Sequence, residues 1–163
     1  MAYGDGDATF RACGGEAGIQ RLVEAFYAEM DTLPEARRIR KLHPADLAVS
    51  IDKLARFLCG WTGGPKRYSE KYGSIKIPMA HQHLPIGEAE RDAWMLCMER
   101  ALAAQPDYPD DLKRYLLEQL FVPAERVRVV CERRATERAE RRESTPLVTF
   151  SHETSKDTAE EDR

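Results

Sequence analysis

The feature that most constrains the fold is a run of apolar residues that recur at three- and four-residue steps between residues 16 and 30. This spacing places them on one face of an α-helix. The pattern returns at residues 46–60, 88–104 and 110–121, and the sequence carries no strand-like alternation. We therefore expect an all-α fold. The residues predicted to face inward on the first helix are Ile19, Leu22, Val23, Phe26, Tyr27 and Met30.

Prolines and glycines predict where these helices begin and end. Pro34 should start a short basic helical piece, and the Gly-Gly-Pro turn at 63–65 should stop the next helix. Asp110 is a suitable N-cap for the helix that follows it, with Phe121 on the inward face. Pro123 should kink or split that helix, because proline removes a backbone donor.

Residues 66–86 are expected to form mostly loop, with one helical turn near residues 68–72. Within this stretch Pro78 and Pro85 bracket His81. Each proline removes a backbone donor and restricts the residue before it, so a long helix here is disfavoured. We expect His81 to lie on a short, stiff loop. A long irregular stretch inside a compact domain is often functional.

Composition narrows the class of protein. A length of 163 residues fits one domain. A net charge of -3 gives no general attraction to nucleic acid. The sequence has no apolar run of membrane-span length, and its first residues lack the basic and apolar regions of a secretory signal. We expect a cytoplasmic protein without a membrane span.

The four cysteines are widely separated and form no CxxC pair, which disfavours a zinc site or a disulfide framework. Reduced, packed thiols fit better. From residue 133 onward the chain becomes rich in Arg and Glu and then in Ser, Thr, Glu and Asp. We interpret residues 1–132 as one domain and residues 133–163 as a charged extension that begins as helix and becomes disordered.

His81 is the main candidate for a metal ligand. A single imidazole on a stiff loop, ahead of a helix that carries Trp94, suits one axial position on a haem iron. The motifs Phe26-Tyr27, Leu42-His43-Pro44 and residues 60–65 support a haem pocket. His83, two residues later, is the competing ligand.

The chain resembles the truncated haemoglobins of group II over roughly residues 14–120. The resemblance rests on Phe26-Tyr27, the Gly-Gly-Pro turn after Trp61, and the segments 68–70 and 89–94. It implies a two-over-two helical sandwich around haem b, the iron protoporphyrin IX. In this family the haem-binding histidine lies thirteen residues before the tryptophan of the next helix, and counting back from Trp94 gives His81.

The loop around His81 departs from the family pattern at three positions. His83 stands where proline is usual, Leu84 where phenylalanine is usual, and Ala80 where arginine is common. These departures leave the ligand in place but change the expected contacts to the haem edge.

The resemblance implies that Tyr27, Trp94 and His43 form the distal side, where a gas binds. A bound diatomic gas gains partial negative charge, so hydrogen-bond donors slow its escape. The family places tyrosine, phenylalanine or histidine at the position of His43, and a histidine there is also able to reach the iron. Ser50 should lie where many globins have a distal histidine.

The same resemblance assigns the haem contacts. Leu54 and Phe57 follow Ser50 by four and seven residues on one helical face, and would pack against the porphyrin together with Trp94. Lys53 and Tyr68 are candidates for holding the propionates. The alternative for Lys53 is a solvated side chain.

Three functions are compatible with this pattern. The first is reversible binding of oxygen, carbon monoxide or nitric oxide, for oxygen transport, storage or sensing. The second is peroxidase-like chemistry or nitric oxide oxidation with an external reductase, because the chain holds no flavin or nicotinamide module. The third is a haem-free helical interaction protein. Both a monomer and a homodimer are compatible with the sequence.

Overall fold

The computed structural model describes residues 2–145, and these are helical with no strand. The all-α prediction is confirmed. The helices in chain order are α1 (Ala8–Ala12), α2 (Gly15–Thr32), a 3-10 turn (Pro34–Ala36), α3 (Arg37–Lys41), α4 (Ala48–Trp61), α5 (Arg67–Tyr72), α6 (Ile77–His81), α7 (Glu88–Ala103) and α8 (Asp110–Ser144).

Helix α2 lies at the centre of the fold. It packs against α4 on one side and α7 on another, and α7 packs in turn against α8. The result is two helix pairs, α2 with α4 and α7 with α8, joined through the α2–α7 contact. Every α2 residue predicted to face inward is buried, so the periodicity was sufficient for this helix.

The end of α4 and the N-terminal segment fit together closely at Gly63. The φ of Gly63 is +96°, and a Cβ there would lie 1.9 Å from the carbonyl oxygen of Gly6. Only glycine tolerates both conditions without strain. The amide of Phe10 donates to the carbonyl of Thr62 at 3.0 Å, which fixes α1 beside this turn. The predicted helix stop is confirmed.

The segment around His81 is helical where we expected a loop. Residues 77–81 form α6, with Pro78 in its first turn. Proline is tolerated there because the amide it lacks would have no helical partner. The helix is only five residues long, so the prolines limit its length but do not prevent it.

Helix α8 continues as one element through Pro123, so the predicted split is wrong. Proline removes one backbone hydrogen bond. Buried side chains on both sides, including Leu120 and Val127, hold the two halves against the rest of the fold.

Two smaller expectations for α8 are also wrong. Asp110 is the first helical residue, and Pro109 occupies the N-cap position. Phe121 is 41% exposed rather than inward. The guanidinium of Arg91 lies 5.2 Å from the Phe121 ring centre, so a cation–π contact replaces core packing there.

The described part of the C-terminal extension, residues 133–145, continues α8 as far as Ser144. The residues expected to be disordered lie in 146–163, outside the described residues. In the described part of the chain no helix is long and apolar enough to cross a membrane. All four cysteines are buried and unbridged, as expected.

Candidate functional site

His81 is the last residue of α6 and is half-buried. Its Nδ1 lies 2.6 Å from the carbonyl oxygen of Ile77, one turn earlier. A carbonyl oxygen only accepts, so Nδ1 carries the proton and donates. The Nε2 lone pair is then available to a metal. An imidazole oriented through a backbone carbonyl is the usual arrangement of a metal-binding histidine.

His83 differs from His81 in its surroundings. It lies outside α6 and is exposed to solvent. An exposed side chain without a fixed orientation is a poorer axial ligand than one already held by a hydrogen bond. This comparison favours His81 over its competitor.

The backbone of His81 is held from α8. The Cys131 thiol donates to the His81 carbonyl oxygen at 3.0 Å, and the Leu84 amide donates to the same oxygen at 2.9 Å. Burial raises the pKa of the Cys131 thiol, so the sulfur keeps the proton that it donates. Sequence reasoning missed this contact because Cys131 lies fifty residues from His81.

An aromatic cluster gathers the expected distal residues around Phe26. The Phe26 ring centre lies 5.0 Å from that of Trp94 and 5.0 Å from that of Tyr27. The Tyr27 ring in turn lies 5.6 Å from that of His43, edge to face. Residues from α2, α7 and the end of α3 therefore meet in one place.

The Tyr27 hydroxyl stays a hydrogen-bond donor. Burial raises the pKa of Tyr27 to about 12. Within residues 2–145 the hydroxyl has no hydrogen-bond partner. Among these residues, the fully buried side-chain polar atom without a hydrogen-bond partner is Arg134 Nε. The Tyr27 hydroxyl also lacks a partner but is not fully buried, so it reaches solvent-accessible space.

His43 has the same hydrogen-bond arrangement as His81. Its Nδ1 lies 2.7 Å from the Ile39 carbonyl oxygen, which leaves Nε2 available. Burial is the main cause that lowers the pKa of His43; the hydrogen bond to Ile39 raises it, and the charge of Arg40 lowers it further. His43 is therefore neutral at pH 7.

The exposed fractions on α4 differ from those on α2. Ser50, Leu54 and Phe57 lie on one face of α4, as predicted, but all three are only half-buried. Trp94 is half-buried as well. Partly accessible apolar side chains, together with an imidazole whose Nε2 is available, are the kinds of group that would hold a flat aromatic macrocycle. The residues present therefore fit a haem.

The expected propionate partners lie at the α4–α5 contact. The Lys53 ammonium is 5.3 Å from the Tyr72 ring centre, and among residues 2–145 it forms no salt bridge. The Tyr68 ring lies between those of Phe57 and Tyr72, at 6.5 Å and 5.1 Å.

Asp52 connects the same two helices and was not predicted. Its carboxylate accepts from Lys71 at 2.8 Å, from the Tyr72 hydroxyl at 2.5 Å and from Arg56 at 2.9 Å. These donors, with Lys71 the largest contributor, hold the pKa of Asp52 well below its usual range. No local sequence pattern distinguishes this aspartate from a solvated one.

Comparison with known proteins decides the family. The model of the bacterial-like globin family matches residues 8–122. The chain belongs to this family. The globin is 32% identical over 88 residues to the group 2 truncated hemoglobin YjbI of Bacillus subtilis. That match spans 54% of this chain and 64% of YjbI, so it covers less than two thirds of that relative.

Solved structures give the same result over more of the globin. The group II 2-on-2 hemoglobin of Agrobacterium tumefaciens is 37% identical with a TM-score of 0.70, covering 78% of this chain and 94% of that one. The cold-adapted truncated hemoglobin of Pseudoalteromonas haloplanktis TAC125 is 30% identical with a TM-score of 0.69, covering 73% and 95%. The group II resemblance and the two-over-two fold are confirmed. Family membership favours the haem-based functions over a haem-free interaction protein.

Proposed function

We propose that this globin binds haem b through His81 as the single protein ligand and reversibly binds oxygen and other diatomic gases. The observation that carries the proposal is the hydrogen bond from His81 Nδ1 to the Ile77 carbonyl, which leaves Nε2 free. When bound, the haem supplies the iron position at which a gas is held.

His81 and the apolar residues of the pocket would hold the haem and exclude water. The Ile77 carbonyl fixes the tautomer of His81 and increases the basicity of Nε2. Leu54, Phe57 and Trp94 would supply apolar surface to a bound haem. Ser50, a small residue on the same face of α4, would leave the path to the iron open.

The distal residues hold the gas through neutral donors. Tyr27 presents an O–H and Trp94 an indole N–H, each on an apolar body. His43 is neutral, so its Nε2 either accepts a hydrogen bond or donates after a change of tautomer. Donors aimed at the partial negative charge of the bound gas slow its release.

Three further assignments complete this proposal. Lys53 and Tyr68 would hold the propionates; the supporting contact is the Lys53 ammonium above Tyr72, which forms no salt bridge among residues 2–145. Residues 1–132 form the globin domain, and residues 133–163 are an extension of it. We also propose a cytoplasmic location, which the buried, unbridged thiols support.

The ligand assignment is tested by His81→Ala, with His83→Ala as the matched control. We expect His81→Ala to abolish saturable one-to-one haem uptake because the iron loses its only protein ligand, and His83→Ala to retain it. The measurement is the absorption spectrum with added haem, ferric and then reduced with dithionite, with and without carbon monoxide. Equal loss in both variants would contradict the assignment.

Gas kinetics separate binding from catalysis in the wild-type protein. Slow oxygen release with little peroxide turnover supports the proposed function. Rapid turnover of peroxide or nitric oxide with an added reductase favours the enzymatic alternative.

A further inference from the structure

Helix α8 remains part of the fold beyond the matched globin segment. The family match ends at residue 122, whereas α8 continues to Ser144. Val127 and Cys131, both in this later part, are 8% and 1% exposed. Helix α6, which carries His81, packs against α8. The later part of α8 therefore covers the proximal side.

A ladder of ion pairs joins α7 to α8 at one point and continues along α8. Arg91 on α7 donates to Glu125 at 2.6 Å, Arg128 Nε donates to the same carboxylate at 2.9 Å, and Arg128 reaches Glu132 at 2.6 Å. The ladder ends next to Cys131. The ion pair between α7 and α8 therefore lies on the same stretch of α8 as the thiol.

The contact of Cys131 is with the backbone of the proposed ligand itself. The His81 carbonyl oxygen accepts from Cys131 Sγ at 3.0 Å and from the Leu84 amide at 2.9 Å, so both of its lone pairs are used. The amides of Leu84 and Ile86 lie beside the same sulfur. One buried thiol thus holds the end of α6 and the turn that leads to α7.

We propose that Cys131 is a positioning residue for the proximal histidine. The proposal rests on the proposed function, in which His81 binds the iron. The ring of His81 is oriented from Ile77, and its carbonyl is held from α8, so the last turn of α6 is fixed at two points. Without the thiol contact to the His81 carbonyl, the last turn of α6 is free to shift, and the orientation of Nε2 towards the metal changes.

The test compares three variants of the full-length, haem-loaded protein. Cys131→Ala removes the donor and leaves a void, Cys131→Val removes the donor without leaving a void, and Cys131→Ser keeps a donor. Cys59→Ala is the matched control, because Cys59 is also buried but lies on α4. The readouts are the iron–histidine stretching band in resonance Raman spectra and the rate of haem transfer to excess apomyoglobin.

We expect the alanine and valine variants to shift the iron–histidine band and to lose haem about tenfold faster, the low end for loss of an outer-shell partner. The serine variant and Cys59→Ala should keep the wild-type band. Thermal unfolding followed by circular dichroism identifies any variant that has lost the fold.

Three results overturn the inference: no shift in any Cys131 variant, a shift in alanine but not in valine, or a serine variant that shifts as far as alanine. The second would mean that the thiol only fills space. A failure of the proposed function would give different spectra. The wild type would then lack an iron–histidine band, or His81→Gly would keep the band without added imidazole.

Discussion

At the scale of single residues, burial sets the chemistry of the distal side. It raises the pKa of Tyr27 to about 12 and lowers the pKa of His43. Both shifts favour the uncharged form. The two side chains therefore stay neutral across the physiological pH range, and Tyr27 keeps the proton that a bound gas would attract.

Tyr27→Phe tests this donor while keeping the ring. We expect oxygen to dissociate about tenfold faster, because a hydrogen bond to a partly charged group contributes about 1.5 kcal/mol. Stopped-flow displacement of oxygen measures the rate. Tyr115→Phe is the control, since Tyr115 packs on Tyr3 instead of the cluster around Phe26. An unchanged rate in Tyr27→Phe would remove Tyr27 from the gas site.

Sequence reasoning selects candidate residues that carry a local signal. Tyr27 and Phe26 follow from helical spacing, and the family pattern selects His81 over His83. Cys131 and Asp52 carry no such signal, because their partners are set by how α8 and α5 pack against distant segments. Contacts of this kind depend on tertiary structure.

At the scale of helices, periodicity predicted α2 well because one face of it is wholly buried. Proline rules predicted less. Pro78 starts α6 where a loop was expected, and Pro123 lies inside one continuous α8 where a kink or a split was expected. The cost of a proline depends on its place in the helix and on the packing around it, neither of which the residue alone shows.

The α7–α8 connection should weaken in acid. Hydrogen bonds from Arg128 and then Arg91 lower the pKa of Glu125 to about 2, below its usual 4.5. The lowered pKa means that the stabilisation is present above pH 4.5 and is lost as pH falls towards 2. We expect Glu125→Gln to lower the unfolding midpoint at pH 7 and to approach the wild type near pH 2. Calorimetry at both pH values measures this.

Glu118→Gln is the matched control, since Glu118 is an exposed α8 residue outside the ladder. If the wild type keeps the same higher unfolding midpoint over Glu125→Gln in acid as at pH 7, Glu125 contributes by packing and not by its charge.

Gly63, in the turn after α4, should tolerate a side chain far less well than another glycine with a positive φ. Gly63→Ala meets the Gly6 carbonyl as well as backbone strain, whereas Gly73 has φ +82° and nothing within 4 Å of a Cβ. We expect Gly73→Ala to cost about 1–3 kcal/mol from strain alone and Gly63→Ala to cost more. Urea unfolding compares the two, and equal costs would exclude a role for the close approach.

At the scale of the whole molecule, the half-buried face of α4 leaves apolar surface that haem would cover. Ligand that binds only the folded state stabilises it by about 2.7 kcal/mol at 100 times its Kd. For a chain of this size we expect the unfolding midpoint to rise by roughly 5–10 °C. Scanning fluorimetry with and without haem measures the shift. His81→Ala should show a much smaller rise, and an equal rise would indicate nonspecific binding.

The four buried thiols allow local opening of the fold to be measured at four places in the chain. Cys13, Cys59, Cys97 and Cys131 lie at the end of α1, within α4, within α7 and within α8. A thiol reagent reacts with each only when its surroundings open, so labelling followed by mass spectrometry ranks the opening rates of four regions in one unmodified chain. Comparing the haem-free and haem-loaded protein would then show which of these regions open more slowly when haem is bound.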